Sequence, residues 1–229
     1  TGTTPTKGPL NTPAGYTRGT GNLSYGYVGG GYAPSISTVQ RIDYSNDTAT
    51  AATKGPLSTP AWGMGSVSSA SGYGYYAGGS SSGSGSIVNR IEFANDTATA
   101  SARANMSTQT GKVNGVSAQN YGMSAPTPVI AAPDQPPFSS PEQLFNPAVY
   151  TSGGYTLGSG TYVQRIDYSN DTATATSKGP LTAAISYHSA VSSNSHGYAL
   201  AGNTPSAPGV RSRGQRVAYA NATATAPSI

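Results

Sequence analysis

The chain has 229 residues, of which 12 are lysine or arginine, 8 are aspartate or glutamate and none is cysteine. Only 9% of the residues are charged, against about 25% in typical soluble domains, so hydroxyl, amide and glycine residues must cover the surface. This composition excludes disulfides and thiolate metal sites, and the scattered basic residues disfavour nucleic acid as a partner. No apolar run approaches the roughly 20 residues of a membrane-spanning helix, so no membrane insertion is expected.

One eleven-residue stretch organises the chain. R-I-D-Y-S-N-D-T-A-T-A occupies 41–51 and recurs unchanged at 165–175, with diverged copies at 90–100 and 216–226. A second marker, K-G-P-L, begins at Lys7, Lys54 and Lys178, so the unit is about 50 residues long. The predicted divisions are a leftover or linking strand at 1–6, repeat 1 at 7–53, repeat 2 at 54–103, repeat 3 at 104–177 and repeat 4 at 178–229.

The first six residues resemble the end of a unit. T-G-T-T-P-T aligns with T-A-T-A-A-T at 48–53, and both are followed by K-G-P-L. This alignment predicts a surplus strand at 1–6. Because an unpaired strand edge is sticky, we expect that strand to continue an upstream repeat or to pair with a sheet edge, in its own ring or in a neighbouring subunit.

Each unit has the pattern of short β-strands. Residues 38–44 alternate in character as a strand does, and the S-N-D at 45–47 is typical of a turn. The T-A-T-A at 48–51 alternates again, which predicts the next strand, and Gly55-Pro56 ends it. A pair of glycines after an aromatic residue, as at 27–30, marks another strand end. Each repeat therefore offers about three or four strands.

An arginine and an acid alternate on one strand face of three repeats. Aspartate is exchanged for glutamate beside a retained arginine, which indicates a structural ion pair between neighbouring repeats. The residues assigned to this structural role are Arg41 with Asp43, Arg90 with Glu92, Arg165 with Asp167, and Arg216, whose acid is replaced by alanine.

A proline-rich insert lengthens repeat 3. The extra residues fall at about 124–147, and their proline density predicts a long loop because proline removes ladder donors. Such loops are typically functional or make assembly contacts.

Aromatic residues are the most plausible binding groups, because tyrosine offers apolar area with a polar tip. The possible partner contacts are Tyr73, Tyr75, Tyr76, Phe138 and Phe145. The alternative is that the tyrosines fill a glycine-rich core.

The sequence predicts no catalytic, cofactor or metal site. Its two histidines, His188 and His196, lie in no metal-ligand spacing. The Asp43 and Asp47 pair recurs as Asp167 and Asp171, and repetition indicates architecture, since an active site normally occurs once. We therefore expect a protein that is not an enzyme.

The paired glycines, the alternating strand, the polar turn and the 50-residue period resemble Kelch-type β-propeller repeats. The R-I-D-Y-S-N-D-T-A-T-A unit with K-G-P-L is also similar to repeats of tail-fibre-like and other virion structural proteins of marine bacteriophages. That resemblance covers nearly the whole chain except the insert. It implies an enzymatically inert β module displayed on a particle for assembly or host attachment.

The expected fold is all-β, a propeller-like arrangement of about four Kelch-like blades; a β-solenoid or an interchain β fibre is the alternative. The expected function is a structural or adhesive role at a virion surface, tail fibre or other extracellular location. The expected partners are other virion or fibre proteins, further copies in a homo-oligomer, and host surface glycan. A subunit of a cellular extracellular filament or surface layer, and a glycan depolymerase of a phage fibre, remain alternatives.

Overall fold

The computed structural model describes residues 4–32, 34–69, 71–80, 85–117, 148–152, 160–193, 195–204, 207–210 and 214–229. These residues form an all-β protein, which confirms the predicted all-β class. The strands are β1 (Arg18–Gly21), β2 (Tyr25–Gly29), β3 (Val39–Asp43), β4 (Ala52–Lys54), β5 (Gly65–Ser69), β6 (Tyr73–Ala77), β7 (Ile87–Glu92), β8 (Ser101–Asn105), β9 (Asn114–Ser117), β10 (Ala148–Ser152), β11 (Val163–Asp167), β12 (Thr176–Ser177), β13 (Ser189–Ser192), β14 (His196–Leu200), β15 (Asn203–Thr204), β16 (Ala207–Val210) and β17 (Gly214–Ala218).

Each repeat builds its own small antiparallel sheet. Sheet 1 has the order β1-β2-β3-β4, sheet 2 has β5-β6-β7-β8 and sheet 3 has β9-β10-β11-β12. Sheet 4 has β13-β14-β17, and an antiparallel bridge from Gln215 to Ser228 supplies its outer edge. β15 and β16 form a separate hairpin. Strands that are consecutive in sequence pair within sheets 1–3, as hairpin connections require.

A short 3-10 helix follows the arginine-bearing strand of every repeat. The four helices are Tyr44–Asn46, Phe93–Asn95, Tyr168–Asn170 and Tyr219–Asn221. In repeat 1 the Asp43 side chain accepts from the backbone N–H of Ser45 at 2.9 Å and caps the helix. The turn predicted from S-N-D thus takes a helical form.

The strand predicted at 48–51 is wrong, because the fourth strand of sheet 1 begins only at Ala52. The Ala49 N–H donates to the Asn46 carbonyl within the turn, and the Ala51 N–H donates to Pro9 in the linker that precedes sheet 1. These two bonds use donors that a ladder with β3 would need.

The other predicted segments differ in their outcome. Residues 4–6 are exposed and lie outside any strand, so the surplus strand is not seen in the described part of 1–6. Residues 1–3 and the insert at 124–147, with Phe138 and Phe145, lie outside the described residues.

A buried amide fixes each linker to its own sheet. In repeat 1 the Gln40 side chain accepts from the Thr12 N–H at 2.8 Å and donates to the Thr12 carbonyl at 2.9 Å. Gln164 bonds Thr108 in the same two ways, and Gln215 bonds Ala183. A buried amide with both groups satisfied sets the path of the chain entering the sheet.

The core lies between consecutive sheets. We call the face of a sheet that packs on the next sheet its trailing face, and the face that packs on the preceding sheet its leading face. Tyr27 and Val39 on the trailing face of sheet 1 pack with Tyr76 and Ile91 on the leading face of sheet 2. Equivalent clusters join sheet 2 to sheet 3 and sheet 3 to sheet 4.

The sheets follow one another through their first strands. β1 contacts β5, β5 contacts β9 and β9 contacts β13. Repeats 1 and 4 also approach each other just before their first strands, where the rings of Tyr16 and Tyr187 lie 6.4 Å apart between centroids.

Candidate functional site

A buried carboxylate sits in the junction between sheets 2 and 3. Asp171, in the turn after β11, accepts from Arg90 of sheet 2 at 2.8 Å and from the Nη2 atom of Arg103 at 2.7 Å. The Tyr75 hydroxyl donates to it at 3.0 Å. Burial alone would raise the pKa of Asp171, but the donors Arg103 and Tyr75 and the charge of Arg90 outweigh it and hold the pKa below its usual range.

The junction between sheets 1 and 2 repeats this arrangement. Asp96 accepts from Arg41 at 2.8 Å, from the Tyr27 hydroxyl at 2.9 Å and from Lys54 at 3.1 Å. Here too burial would raise the pKa of Asp96, and the bonds from Lys54 and Tyr27 with the charge of Arg41 lower it overall. Asp96 and Asp171 thus each bind two cations of the preceding sheet.

The first and last repeats lack part of this network. Asp47 in repeat 1 has one ion pair among the described residues, with Lys7 at 3.0 Å. In repeat 4 the corresponding residue is Ala222, and Arg165 of sheet 3 instead contacts Asp167 on its own strand at 3.3 Å. The network is therefore complete only at the two junctions that have an aspartate in the turn of the following sheet.

The predicted ion pairs have the right arginines and mostly the wrong acids. Arg41 and Arg90 bridge neighbouring repeats as expected, but they bind the turn aspartates rather than Asp43 and Glu92. Asp43 instead caps its helix, and Glu92 is exposed without a capping bond. Only Arg165 pairs with the predicted acid, Asp167. Arg216 is exposed and has no ion pair among the described residues.

Two of the predicted partner contacts are core residues. Tyr75 and Tyr76 are 1% and 0% exposed, so they cannot touch a partner, and they fill the glycine-rich junctions instead. Gly29 makes room for the Tyr76 ring, which packs across the space that a side chain there would need. Tyr73 is half-buried, and the Arg90 guanidinium lies 4.3 Å from its ring centroid in a cation–π contact.

A cluster of exposed aromatic rings lies where the chain enters the first strands of the sheets. We call Tyr16, Tyr32, Trp62, Lys112 and Tyr187 the aromatic cluster. Ring centroids are 5.4 Å apart for Tyr16 and Trp62, and 5.1 Å for Tyr32 and Trp62. The Lys112 ammonium is 5.6 Å from the Trp62 ring and 4.8 Å from the Tyr187 ring. With the Tyr16–Tyr187 contact, residues from all four repeats meet in this cluster.

The backbone beneath the cluster is left-handed. Tyr16, Lys112 and Tyr187 have φ of 55°, 58° and 54°, and Gly63 has φ of 63° at the equivalent place in repeat 2. Backbone bonds run between them, from the Gly63 N–H to Tyr16 at 3.1 Å and from the Tyr187 N–H to Lys112 at 3.4 Å. A residue other than glycine costs of order 1 kcal/mol or more in this conformation, so three repeats present large side chains here against backbone preference.

None of the residues predicted from the sequence as partner contacts belongs to this cluster. Tyr16, Lys112 and Tyr187 occupy equivalent positions but differ in residue type, and Tyr32 and Trp62 come from other offsets, so no shared letter marks the cluster. The available signal was indirect: each of Tyr16, Lys112 and Tyr187 stands two positions before a first strand.

A buried histidine lies near the same strand starts. His188 is 2% exposed, and burial with the nearby positive charge of Arg18 lowers its pKa to about 4. Arg18 itself donates to the Val113 carbonyl of repeat 3 at 3.4 Å. These contacts bring the first, third and fourth repeats together beneath the aromatic cluster.

Within the described part of the chain, no group of three or more histidine, aspartate or glutamate side chains could hold a metal ion. No helix among those residues has the length and apolar character to cross a membrane. No protein-family model matches the sequence, and no curated protein is significantly similar to it.

Proposed function

We propose that this protein is a non-enzymatic adhesive or structural module of a virion surface, tail fibre or other extracellular assembly, and that the aromatic cluster is its carbohydrate-binding surface. The sheets would be arranged about a common axis as blades of a propeller-like scaffold. The contacts between successive first strands and the meeting of Tyr16 with Tyr187 support that arrangement.

The proposal is carried by exposed rings in tilted and edge-on contact, two of which, Tyr16 and Tyr187, stand on strained backbone. Tyr16, Tyr32 and Tyr187 are exposed and Trp62 is half-buried, which forms an apolar patch with polar rims. Gly63 demonstrates that glycine fits this backbone, so packing alone does not require the large side chains at the equivalent positions. Backbone strain retained beneath exposed groups is typical of binding sites.

The chemistry of the cluster suits a pyranose sugar. Tyrosine and tryptophan rings offer flat apolar area for the C–H face of a pyranose, and their hydroxyl and indole N–H groups bond sugar hydroxyls at the edges. Lys112 adds one positive charge, which favours a sugar that carries a carboxylate or sulfate group. The chain's low charge elsewhere limits non-specific attraction to polyanions.

Trp62 makes the test direct, because it is the only tryptophan in the chain. We expect bacterial surface polysaccharides or their oligosaccharides to change its fluorescence on binding. Trp62→Ala and Tyr187→Ala should weaken binding at least about tenfold in calorimetry, as the loss of an aromatic anchor does. Tyr162→Ala is the matched control, since Tyr162 is exposed outside the cluster.

Two results would overturn the proposal. If all three variants bind polysaccharide equally strongly, the aromatic cluster is not the carbohydrate-binding surface. The appearance of reducing ends during incubation with polysaccharide would make the protein a depolymerase.

A further inference from the structure

Each of the three junctions packs the trailing face of one sheet on the leading face of the next. The leading face of sheet 1 and the trailing face of sheet 4 have no such partner among the described sheets. In each junction an aromatic residue from the 3-10 helix of one sheet packs on the preceding sheet. Phe93 stacks on Tyr27 with ring centroids 5.0 Å apart, and Tyr168 lies 5.1 Å from Tyr75.

The leading face of sheet 1 has these groups without a cover. Tyr44, equivalent to Phe93, is 52% exposed. Ile42 is half-buried, whereas the equivalent Ile91 and Ile166 are buried in junction clusters. An open groove of about 1130 Å³ extends from this face, where Ile42 and Tyr44 line it, to the junction with sheet 2, where Tyr73 lines it.

The trailing face of sheet 4 is uncovered as well. Val191, which pairs with Tyr198, is 52% exposed, whereas Val67 at the equivalent place in sheet 2 is 7% exposed. Tyr198 is half-buried, although the corresponding Tyr27 and Tyr75 are buried. This face therefore retains an apolar strip that the other sheets bury.

Charge on the two faces is complementary. The Asp47 side chain is 38% exposed, against 9% for Asp96 and 4% for Asp171, which are covered by arginines of the preceding sheet. Arg216 of sheet 4 pairs with Tyr198 across the ladder, as Arg41 pairs with Tyr27 and Arg90 with Tyr75. Arg216 is therefore equivalent to Arg41 and Arg90, and Asp47 is equivalent to their acceptors, Asp96 and Asp171.

We propose that copies of this chain associate head to tail, with the trailing face of sheet 4 of one copy packed on the leading face of sheet 1 of another. Among the described residues, none from sheet 4 of the same chain lines the groove on sheet 1. A second copy can supply the whole trailing face, including Val191, Tyr198 and Arg216. Such a contact is heterologous, so two copies can close a ring or many can extend a fibre.

Charge reversal provides the experiment. Asp47→Arg and Arg216→Glu each place like charges in the contact, and we expect either to raise the dissociation constant at least about tenfold in sedimentation of the full chain. Mixing the two variants should restore association, because each variant then meets its complement at both contacts. Ala102→Arg is the control, since Ala102 is exposed on the last strand of sheet 2, does not line the groove and lies on neither uncovered face.

The mixing step separates a second copy from closure within one chain. If the faces met inside one chain, mixing would restore nothing, whereas Asp47→Arg with Arg216→Glu in the same chain would restore thermal stability. That outcome, or a wild-type chain that stays monomeric at the highest soluble concentration, would overturn the proposal.

Discussion

The guanidinium of Arg90 donates to the Oδ2 atom of Asp171 at 2.8 Å, although 81 positions separate the two residues and they belong to different sheets. The same carboxylate accepts from Arg103 and Tyr75, so one side chain in the turn of sheet 3 binds three residues of sheet 2. The turn aspartate thereby links consecutive repeats.

Asp171→Ala should therefore destabilise the protein strongly. It leaves Arg90 and Arg103 without their acceptor in a partly buried junction, and such a loss costs about 3–5 kcal/mol. Urea denaturation of the purified variant measures it. Asp47→Ala is the matched comparison, because its half-exposed pair with Lys7 is worth about 1 kcal/mol or less. Equal losses in the two variants would contradict the structural role of Asp171.

Ala222→Asp should restore the missing acid of the last junction. A charge placed at a buried alanine normally destabilises by several kcal/mol, but Arg165 and Lys178 occupy the positions of Arg90 and Arg103. We expect the free energy of unfolding to stay within about 1 kcal/mol of wild type or to rise. Ala199→Asp, at another buried alanine of the same cluster, should instead show the full loss. Similar destabilisation in both variants would show that Arg165 and Lys178 do not stabilise the new carboxylate as Arg90 and Arg103 stabilise Asp171.

The buried histidine predicts a pH dependence above the carboxylate range. His188 has a pKa of about 4 in the fold and about 6.5 when unfolded, so the unfolded chain binds the extra proton between these values. The free energy of unfolding should fall as the pH drops from about 6.5 to about 4, by up to about 3 kcal/mol. Thermal denaturation across that range should lose this slope in His188→Gln and keep it in His196→Gln.

A second decline should appear at lower pH. The pKa values of Asp96 and Asp171 are held low in the fold, so their contribution is present above the unfolded pKa of about 4 and disappears as the pH falls further. This acid decline should persist in His188→Gln. If His188→Gln lost the acid decline as well, both falls in stability would arise from His188 and not from the aspartates.

The glycine of K-G-P-L should resist substitution. A Cβ atom at Gly55 would collide with the backbone carbonyl of Ala98, and the Gly55 N–H donates to the backbone carbonyl of Asp96 at 2.8 Å in the same turn. Gly55→Ala should therefore cost about 1–3 kcal/mol in urea denaturation, as overpacking does. At Gly15 a Cβ meets nothing within 4 Å, so Gly15→Ala should be nearly neutral. A comparable loss of stability in Gly15→Ala would contradict the steric explanation.

The sequence by itself determined the all-β class and identified Arg41 and Arg90, two of the arginines that join the repeats. Strand alternation and repetition are local properties, so they can be read from neighbouring letters. The start of β4 could not be read in this way. The linker residue Pro9, about 40 positions away, takes the N–H of Ala51 that alternation had assigned to a strand.

Only the tertiary structure decided the partners and the exposed surfaces. Arg41 lies two residues from Asp43, yet it binds Asp96, because the packing of sheet 1 on sheet 2 brings the turn of the next repeat nearer than the strand's own acid. Tyr75 is buried and Tyr16 is exposed although both are tyrosines, since burial depends on which face the neighbouring sheet covers. Contacts between sheets join residues distant in sequence, and no local pattern records them.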